Sequence, residues 1–176
     1  MDPAGRRRTG TRETAVTEQQ EASQDVVMTR IGQAVMLLHG GDREEARNRF
    51  GLLWAEIGAD GDALHRCTLA HYMADTQDDP ADELDWDLRA LSAAQVLTDE
   101  RVAEHRDALA VRAFYPSLHL NLAADYVKLR RRAAARIHLD RARDASGVLA
   151  EDGADDGYGG GVRAAIGRLE LRLREL

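Results

Sequence analysis

Residues 120–146 read LNLAADYVKLRRRAAARIHLDRARDAS, and this stretch decides the fold. Its apolar and small residues recur three and four positions apart on both sides of an arginine-rich turn, which is the spacing of two amphipathic helices. A small residue stands near the centre of each half, Ala123 in the first and Ala135 in the second. Two antiparallel helices that cross closely need a small side chain at their contact. The stretch therefore predicts a helix–turn–helix pair with alanine where the helices meet.

The same pattern occurs earlier in the chain. In GDREEARNRF, residues 41–50, a glycine turn precedes Ala46 and Phe50, and Ala34 stands twelve residues before Ala46. Ala123 and Ala135 are separated by the same twelve residues. The composition, which is poor in aromatic and β-branched residues, also favours helix over strand.

This register resembles the tetratricopeptide repeat, a helix–turn–helix unit of about 34 residues. The resemblance implies an all-α fold, in which antiparallel helix pairs stack into a right-handed superhelix that ends in a C-terminal capping helix. The stretches LDWDLRAL (84–91), FYPSLHLNLA (114–123) and DDGYGGG (155–161) also make the chain similar to a group of actinobacterial repeat proteins of unassigned function.

The register also sets the expected layout. A polar segment at 1–22 predicts a disordered tail, because it has almost no large apolar residue to bury. The distance from Ala70 to Ala123 exceeds one period of ~34 residues, so an insertion is expected before the third unit. We expect Pro116 to open the third unit, and the insertion to be either a helix or a loop. The predicted parts are a single domain at 23–176 with units at about 26–58, 60–97 and 116–150, an insertion at 98–115 and a capping helix at 162–176.

Composition excludes several classes of function. The net charge of −7 disfavours nucleic acid as a partner, because an acidic surface repels phosphate. The only cysteine, Cys67, forbids an intrachain disulfide. No apolar run approaches the roughly 20 residues of a membrane helix. We expect a cytoplasmic protein with no membrane partner.

No pattern in the sequence indicates catalysis or a cofactor. Cys67 and His71 share a helix face as metal ligands can, but no second pair with ligand spacing accompanies them. The serines lack the strand–turn–helix context of a nucleophile. We therefore predict no enzyme activity, no metal and no cofactor.

The resemblance implies a concave groove lined by the first helix of each unit. Asn121 stands where family members that grip a C-terminal carboxylate also use asparagine, but Ile31, Cys67 and His71 replace the rest of that clamp, so carboxylate capture is disfavoured. The residues expected to line the groove are Met28, Ile31, Val35, Leu38, Leu64, Cys67, Thr68, His71, Asn121, Ala124 and Lys128.

Three hypotheses follow. The first is a non-enzymatic adaptor or scaffold that holds a protein or peptide in this groove. The second is a regulatory sensor in which His71, Cys67 and Asn121 cradle a small ligand or signalling peptide. The third is self-association, for example as a homodimer, through exposed repeat faces. An equal alternative for the groove is that the chain's own N-terminal segment or insertion fills it.

Overall fold

The structure is a computed structural model that describes residues 26–100, 105–151 and 158–175. These residues form seven helices and no strand, which confirms the all-α prediction. The tail predicted at 1–22 lies outside them. The helices are α1 (26–39), α2 (Arg43–Ile57), α3 (Ala63–Ala74), α4 (Pro80–Glu100), α5 (His105–Lys128), α6 (Arg132–Glu151) and α7 (Tyr158–Glu175).

Aspartate side chains begin three of the helices, as their sequence positions predict. Asp42 Oδ1 accepts a hydrogen bond from a backbone amide in the first turn of α2. Asp62 Oδ1 accepts two such bonds, at 2.9 and 3.1 Å, at the start of α3. Asp79 Oδ1 accepts one at 2.7 Å, directly before Pro80 opens α4. Each bond satisfies an amide that the helix itself leaves without an acceptor.

Four alanines lie in the core where the helices pack together. Ala34 and Ala46 are fully buried in one core cluster formed by α1, α2 and α3. Ala123 and Ala135 are fully buried in another cluster, formed by α5, α6 and α7. The small residues predicted at the helix contacts are therefore inside the core.

The helices pack in chain order, and each helix from α2 to α6 contacts the next. In addition, α5 contacts both α3 and α7. Helix α5 is thus the central element, and side chains from α3 and α4 converge on it. None of the described helices is both long enough and apolar enough to cross a membrane.

The prediction that Pro116 begins the first helix of the third unit, which is the fifth helix of the chain, is wrong. Helix α5 begins at His105, so the buried Pro116 lies inside the helix. A proline in a helix interior costs roughly 3 kcal/mol, which is why sequence reasoning placed it in the first turn. Of the insertion at 98–115, residues 98–100 extend α4 and residues 105–115 form the first turns of α5, while 101–104 lie outside the described residues.

The capping helix also begins earlier than predicted. Helix α7 starts at Tyr158 and not at 162, so it includes the glycines at 159–161. Glycine lowers helix stability by about 1 kcal/mol relative to alanine, and the glycine run therefore favoured a loop in the sequence.

Candidate functional site

Three of the residues predicted to line a groove lie inside the core. Ile31, Cys67 and Thr68 are buried. Ile31 packs in the cluster of α1, α2 and α3, and Cys67 packs in a cluster with residues of α4 and α5. These side chains are covered by neighbouring helices, so they offer no surface to a partner, and their assignment to an open groove is corrected.

The other predicted residues are at least partly accessible. Val35 and Leu38 are half-buried and pack against the first core cluster, while Met28 is exposed. Four more, on α3 and α5, are half-buried: Leu64, His71, Asn121 and Ala124. Lys128, the last residue of α5, is exposed.

Two of the predicted residues meet although 50 positions separate them. His71 Nδ1 on α3 lies 3.5 Å from Asn121 Nδ2 on α5. The packing of α5 against α3 brings them together. Both side chains are only half-buried, so polar groups remain partly accessible at this contact. We call this the polar face between α3 and α5.

Beneath this face lies a buried carboxylate on α4. The Asp87 side chain is only 1% exposed, and no backbone amide or basic side chain among the described residues donates a hydrogen bond to it. His71 Nδ1 lies 3.9 Å from Asp87 Oδ1, which is within ion-pair distance but too long for a hydrogen bond. Buried carboxylates are normally paired and hydrogen-bonded, and the hydrogen-bonding neighbour of Asp87 is Asp125 on α5.

A second buried carboxylate on α5 is only partly satisfied. The Asp125 side chain is 1% exposed, and its Oδ1 accepts a hydrogen bond from Lys128 Nζ at 3.2 Å. Lys128 also donates to Glu83 on α4. Asp125 Oδ2 receives no hydrogen bond from the donors in the described part of the chain. Its hydrogen-bonding neighbour is the Asp87 side chain, so a proton on Asp125 satisfies both carboxyl groups.

The two aspartates influence each other electrostatically. Burial, and then the negative charges of Asp87 and Glu83, raise the pKa of Asp125 to about 8, although Lys128 acts in the opposite direction. Asp125 therefore holds a proton at neutral pH. We call the group of Asp75, Glu83, Asp87, Asp125, His71 and Lys128 the carboxylate cluster.

The pKa values of two further members of the carboxylate cluster, Asp75 and His71, are shifted as well. Burial raises the pKa of Asp75, at the end of α3, and the nearby His71 only partly offsets this. Burial lowers the pKa of His71, but its interaction with Asp87 and the charge of Asp75 outweigh burial and raise it above its usual value. The carboxylates around His71 therefore favour its protonated, positively charged form.

Sequence reasoning overlooked Asp87 and Asp125, although a signal for both was present. Asp87 stands three residues after the buried Leu84 and four before the buried Leu91, on the apolar stripe of α4. Asp125 stands three residues after the buried Leu122 on α5. An acid at a core-facing position of an amphipathic helix marks a polar site inside the core.

A separate histidine pair lies between α5 and α6. His119 Nδ1 and His138 Nδ1 are 3.0 Å apart, with one ring donating to the other. Burial, followed by the charges of His138 and Arg141, lowers the pKa of His119 to about 4. Burial and Arg141 lower the pKa of His138 as well. Both rings are therefore neutral at pH 7.

Cys67 is not a ready nucleophile, and the described side chains form no metal cage. Burial, and then the charge of Asp87, raise the pKa of the Cys67 thiol to about 12, which disfavours the reactive thiolate. Within 26–100, 105–151 and 158–175, no group of three or more His, Cys, Asp or Glu side chains is arranged to hold a metal ion.

No protein-family profile, no curated protein and no solved structure matches the chain.

Proposed function

We propose that the chain is a non-enzymatic adaptor or scaffold that binds a protein or peptide on the polar face between α3 and α5. The observation that carries this proposal is the meeting of His71 and Asn121 on that face, from positions 50 residues apart in the chain. Both side chains are half-buried, so a segment bound there could exchange hydrogen bonds with them.

The packing supports a tetratricopeptide-like arrangement as the scaffold. In such a stack, the first helix of each unit contacts both its own partner and the first helices of neighbouring units. Contacts of α5 with α3, α6 and α7 follow this order. On this proposal α1, α3 and α5 are the first helices, and their shared side is the binding surface.

The small-ligand alternative receives less support. It relied on Cys67 together with His71 and Asn121, and Cys67 is buried with a raised thiol pKa. Only two of the three side chains remain for a ligand. A peptide that lies along α3 and α5 uses a longer surface and does not need the cysteine. The cytoplasmic location remains part of this proposal.

Selection from a phage-displayed library of random peptides tests the proposed function. Enriched peptides would be synthesised with a fluorophore, and their affinity measured by fluorescence polarisation for wild type and for Asn121→Arg. The exposed Asn48 on α2 allows a matched control, Asn48→Arg, with the same chemical change on a different helix. Melting curves of all three proteins verify that the fold is intact.

We expect peptides that bind wild type and Asn48→Arg equally and Asn121→Arg at least about tenfold more weakly, a difference of roughly 1.4 kcal/mol. The absence of any enriched peptide, or equal binding to all three proteins, would refute peptide binding at this face.

A further inference from the structure

Charge is divided unevenly along the chain. Residues 1–127 hold 13 arginines and 23 acids, a net charge of −10, whereas residues 128–176 hold 11 basic side chains and 8 acids, a net charge of +3. Three of those eight acids, at 152–157, lie outside the described residues. Regions of opposite charge on one molecule attract each other between copies, which favours self-association.

The basic part of the chain carries a groove between α6 and α7. Two cavities of about 210 and 360 Å³ lie along this groove. The smaller cavity is lined by Arg136 on α6 and Arg174 on α7, together with the buried Leu139 and Leu173. Both arginines are exposed, and neither forms a hydrogen bond or an ion pair with another described residue. We call this the arginine groove.

The arginine groove keeps a net positive charge. Arg143 lines both cavities, and it forms ion pairs with Asp140 and Glu170. Four arginines and two acids line the two cavities together: Arg136, Arg143, Arg163, Arg174, Asp140 and Glu170. An anionic partner can therefore pair with Arg136 and Arg174 without displacing an ion pair between described residues.

The acidic part of the chain presents a matching face on α4. Asp82, Asp85 and Leu88 follow one another at intervals of three residues, which makes each a neighbour of the next on the helix surface. All three are exposed, and neither aspartate forms a hydrogen bond or an ion pair with another described residue. The adjacent Arg89 lies over the Trp86 ring, 4.3 Å from its centroid. We call Asp82, Asp85 and Leu88 the α4 face.

We propose that copies of this chain associate by placing the α4 face of one copy in the arginine groove of another. Two carboxylates about 5–6 Å apart on a helix can pair with two arginines that line one cavity. Leu88, which is 39% exposed, then covers the leucines of that cavity. The second copy is the favoured occupant because the chain itself carries the acids and the exposed leucine that suit the groove. This inference is independent of the adaptor proposal, since it uses neither His71 nor Asn121.

The contact is expected to be weak and sensitive to salt. Exposed ion pairs contribute little individually, so the association constant depends on several charges acting together. Because the two surfaces differ, the contact joins copies head to tail, unless a two-fold pair makes both contacts at once. Both arrangements use the same residues and respond to the same substitutions.

Sedimentation velocity of the full chain over a range of concentrations tests this inference. The groove variant combines Arg136→Glu with Arg174→Glu, and the face variant combines Asp82→Arg with Asp85→Arg. A matched control, Arg168→Glu with Arg172→Glu, reverses two exposed arginines of α7 that line neither cavity. All substituted positions are exposed, and melting curves verify that each protein is folded.

We expect wild type and the control to associate at low salt. Raising the salt from about 0.02 to 0.5 M screens the contact and should weaken self-association at least about tenfold. Each reversed variant should self-associate at least about tenfold more weakly than wild type, because like charges then meet. An equimolar mixture of the groove and face variants should regain the complex, since both of its possible contacts again join opposite charges.

Several results would overturn the inference. These are a wild type that remains monomeric at every concentration, association that salt leaves unchanged, and a mixture of the two variants that does not associate. A monomeric wild type that binds fluorescein-labelled hexaglutamate, and loses that binding in the groove variant, would instead assign the groove to a different acidic partner. If a reversed variant does not fold, the milder pairs Arg136→Gln with Arg174→Gln and Asp82→Asn with Asp85→Asn should each weaken self-association, and unchanged association would refute the contact.

The two proposals can fail separately. Peptides that bind the α3–α5 face while the chain remains monomeric would refute the self-association contact and leave the adaptor proposal standing. Copies that associate through the arginine groove while no peptide is selected would refute the adaptor proposal.

Discussion

Replacing Asp125 by asparagine should change how stability depends on pH. The side chain is buried, and its pKa is raised to about 8 from the value of 3.8 that applies to an unfolded chain. Between these values the folded state holds a proton that the unfolded state has lost. The wild type must therefore lose stability as the pH rises through this window, and asparagine, which does not titrate, removes that loss.

The size of the effect follows from proton linkage. One proton that is bound only in the folded state gives a slope of about −1.4 kcal/mol per pH unit. Between pH 5 and pH 7.5, the stability of wild type relative to Asp125→Asn should therefore fall by up to about 3 kcal/mol. Lys128 and the other charges of the carboxylate cluster remain in both proteins, so the difference isolates Asp125.

Urea unfolding at half-unit steps from pH 5 to pH 8.5 measures this difference. The free energy of unfolding of each protein would be extrapolated to water, and the difference plotted against pH. The exposed Asp144 on α6 gives a matched control, and Asp144→Asn should run parallel to wild type. A difference between wild type and Asp125→Asn that stays flat across this range would show that Asp125 is ionised in the folded protein, and the reasoning would be refuted.

Three further predictions test the packing, a helix start and the histidine pair. Ala135→Trp should overfill the contact between α5 and α6 and destabilise by roughly 1 to 3 kcal/mol or more, whereas Ala133→Trp, at an exposed position of α6, should change little in thermal melts. Asp62→Ala removes the side-chain acceptor at the start of α3 and should cost about 1 kcal/mol by urea unfolding; an unchanged midpoint would contradict the capping role. Because the pKa of His119 is lowered to about 4, wild type should lose stability relative to His119→Gln as the pH falls from 6.5 towards 4, and parallel curves would contradict a neutral buried ring.

Features with local causes could be predicted from the sequence. The helix starts at Asp42, Asp62 and Asp79 follow from side chains that bond to amides only two or three residues away. The buried alanines Ala46 and Ala135 follow from the regular spacing of small residues on the helices. Both kinds of information lie within a few turns of one helix.

Features that depend on distant neighbours were harder to predict. Proline prefers the first turn of a helix, but this preference was overridden at Pro116, because α5 continues on both sides of this buried residue. Whether Ile31 and Cys67 face a groove or the core depends on which helix covers them, and periodicity alone does not give that helix.

The candidate site combines both situations. It could be predicted that His71 and Asn121 share one surface, because the repeat register places both on first helices. The meeting of Asp87 with Asp125 could not be predicted, because it depends on how α4 packs against α5. The sequence showed each acid on an apolar stripe, but only the packing shows that the two carboxyl groups are neighbours.

Lys128 is the only lysine in the chain, so a reagent that modifies side-chain amines labels the carboxylate cluster alone. Burial lowers the pKa of its ammonium, but the hydrogen bond to Glu83 and the charge of Asp125 outweigh burial and raise it above its ordinary value. A paired, protonated amine reacts slowly with acylating or alkylating reagents, since only the neutral form is a nucleophile. Because the chain has no other lysine, reductive methylation would place a single side-chain label beside the two buried aspartates. The rate at which that label forms would report how tightly the carboxylates hold the ammonium group.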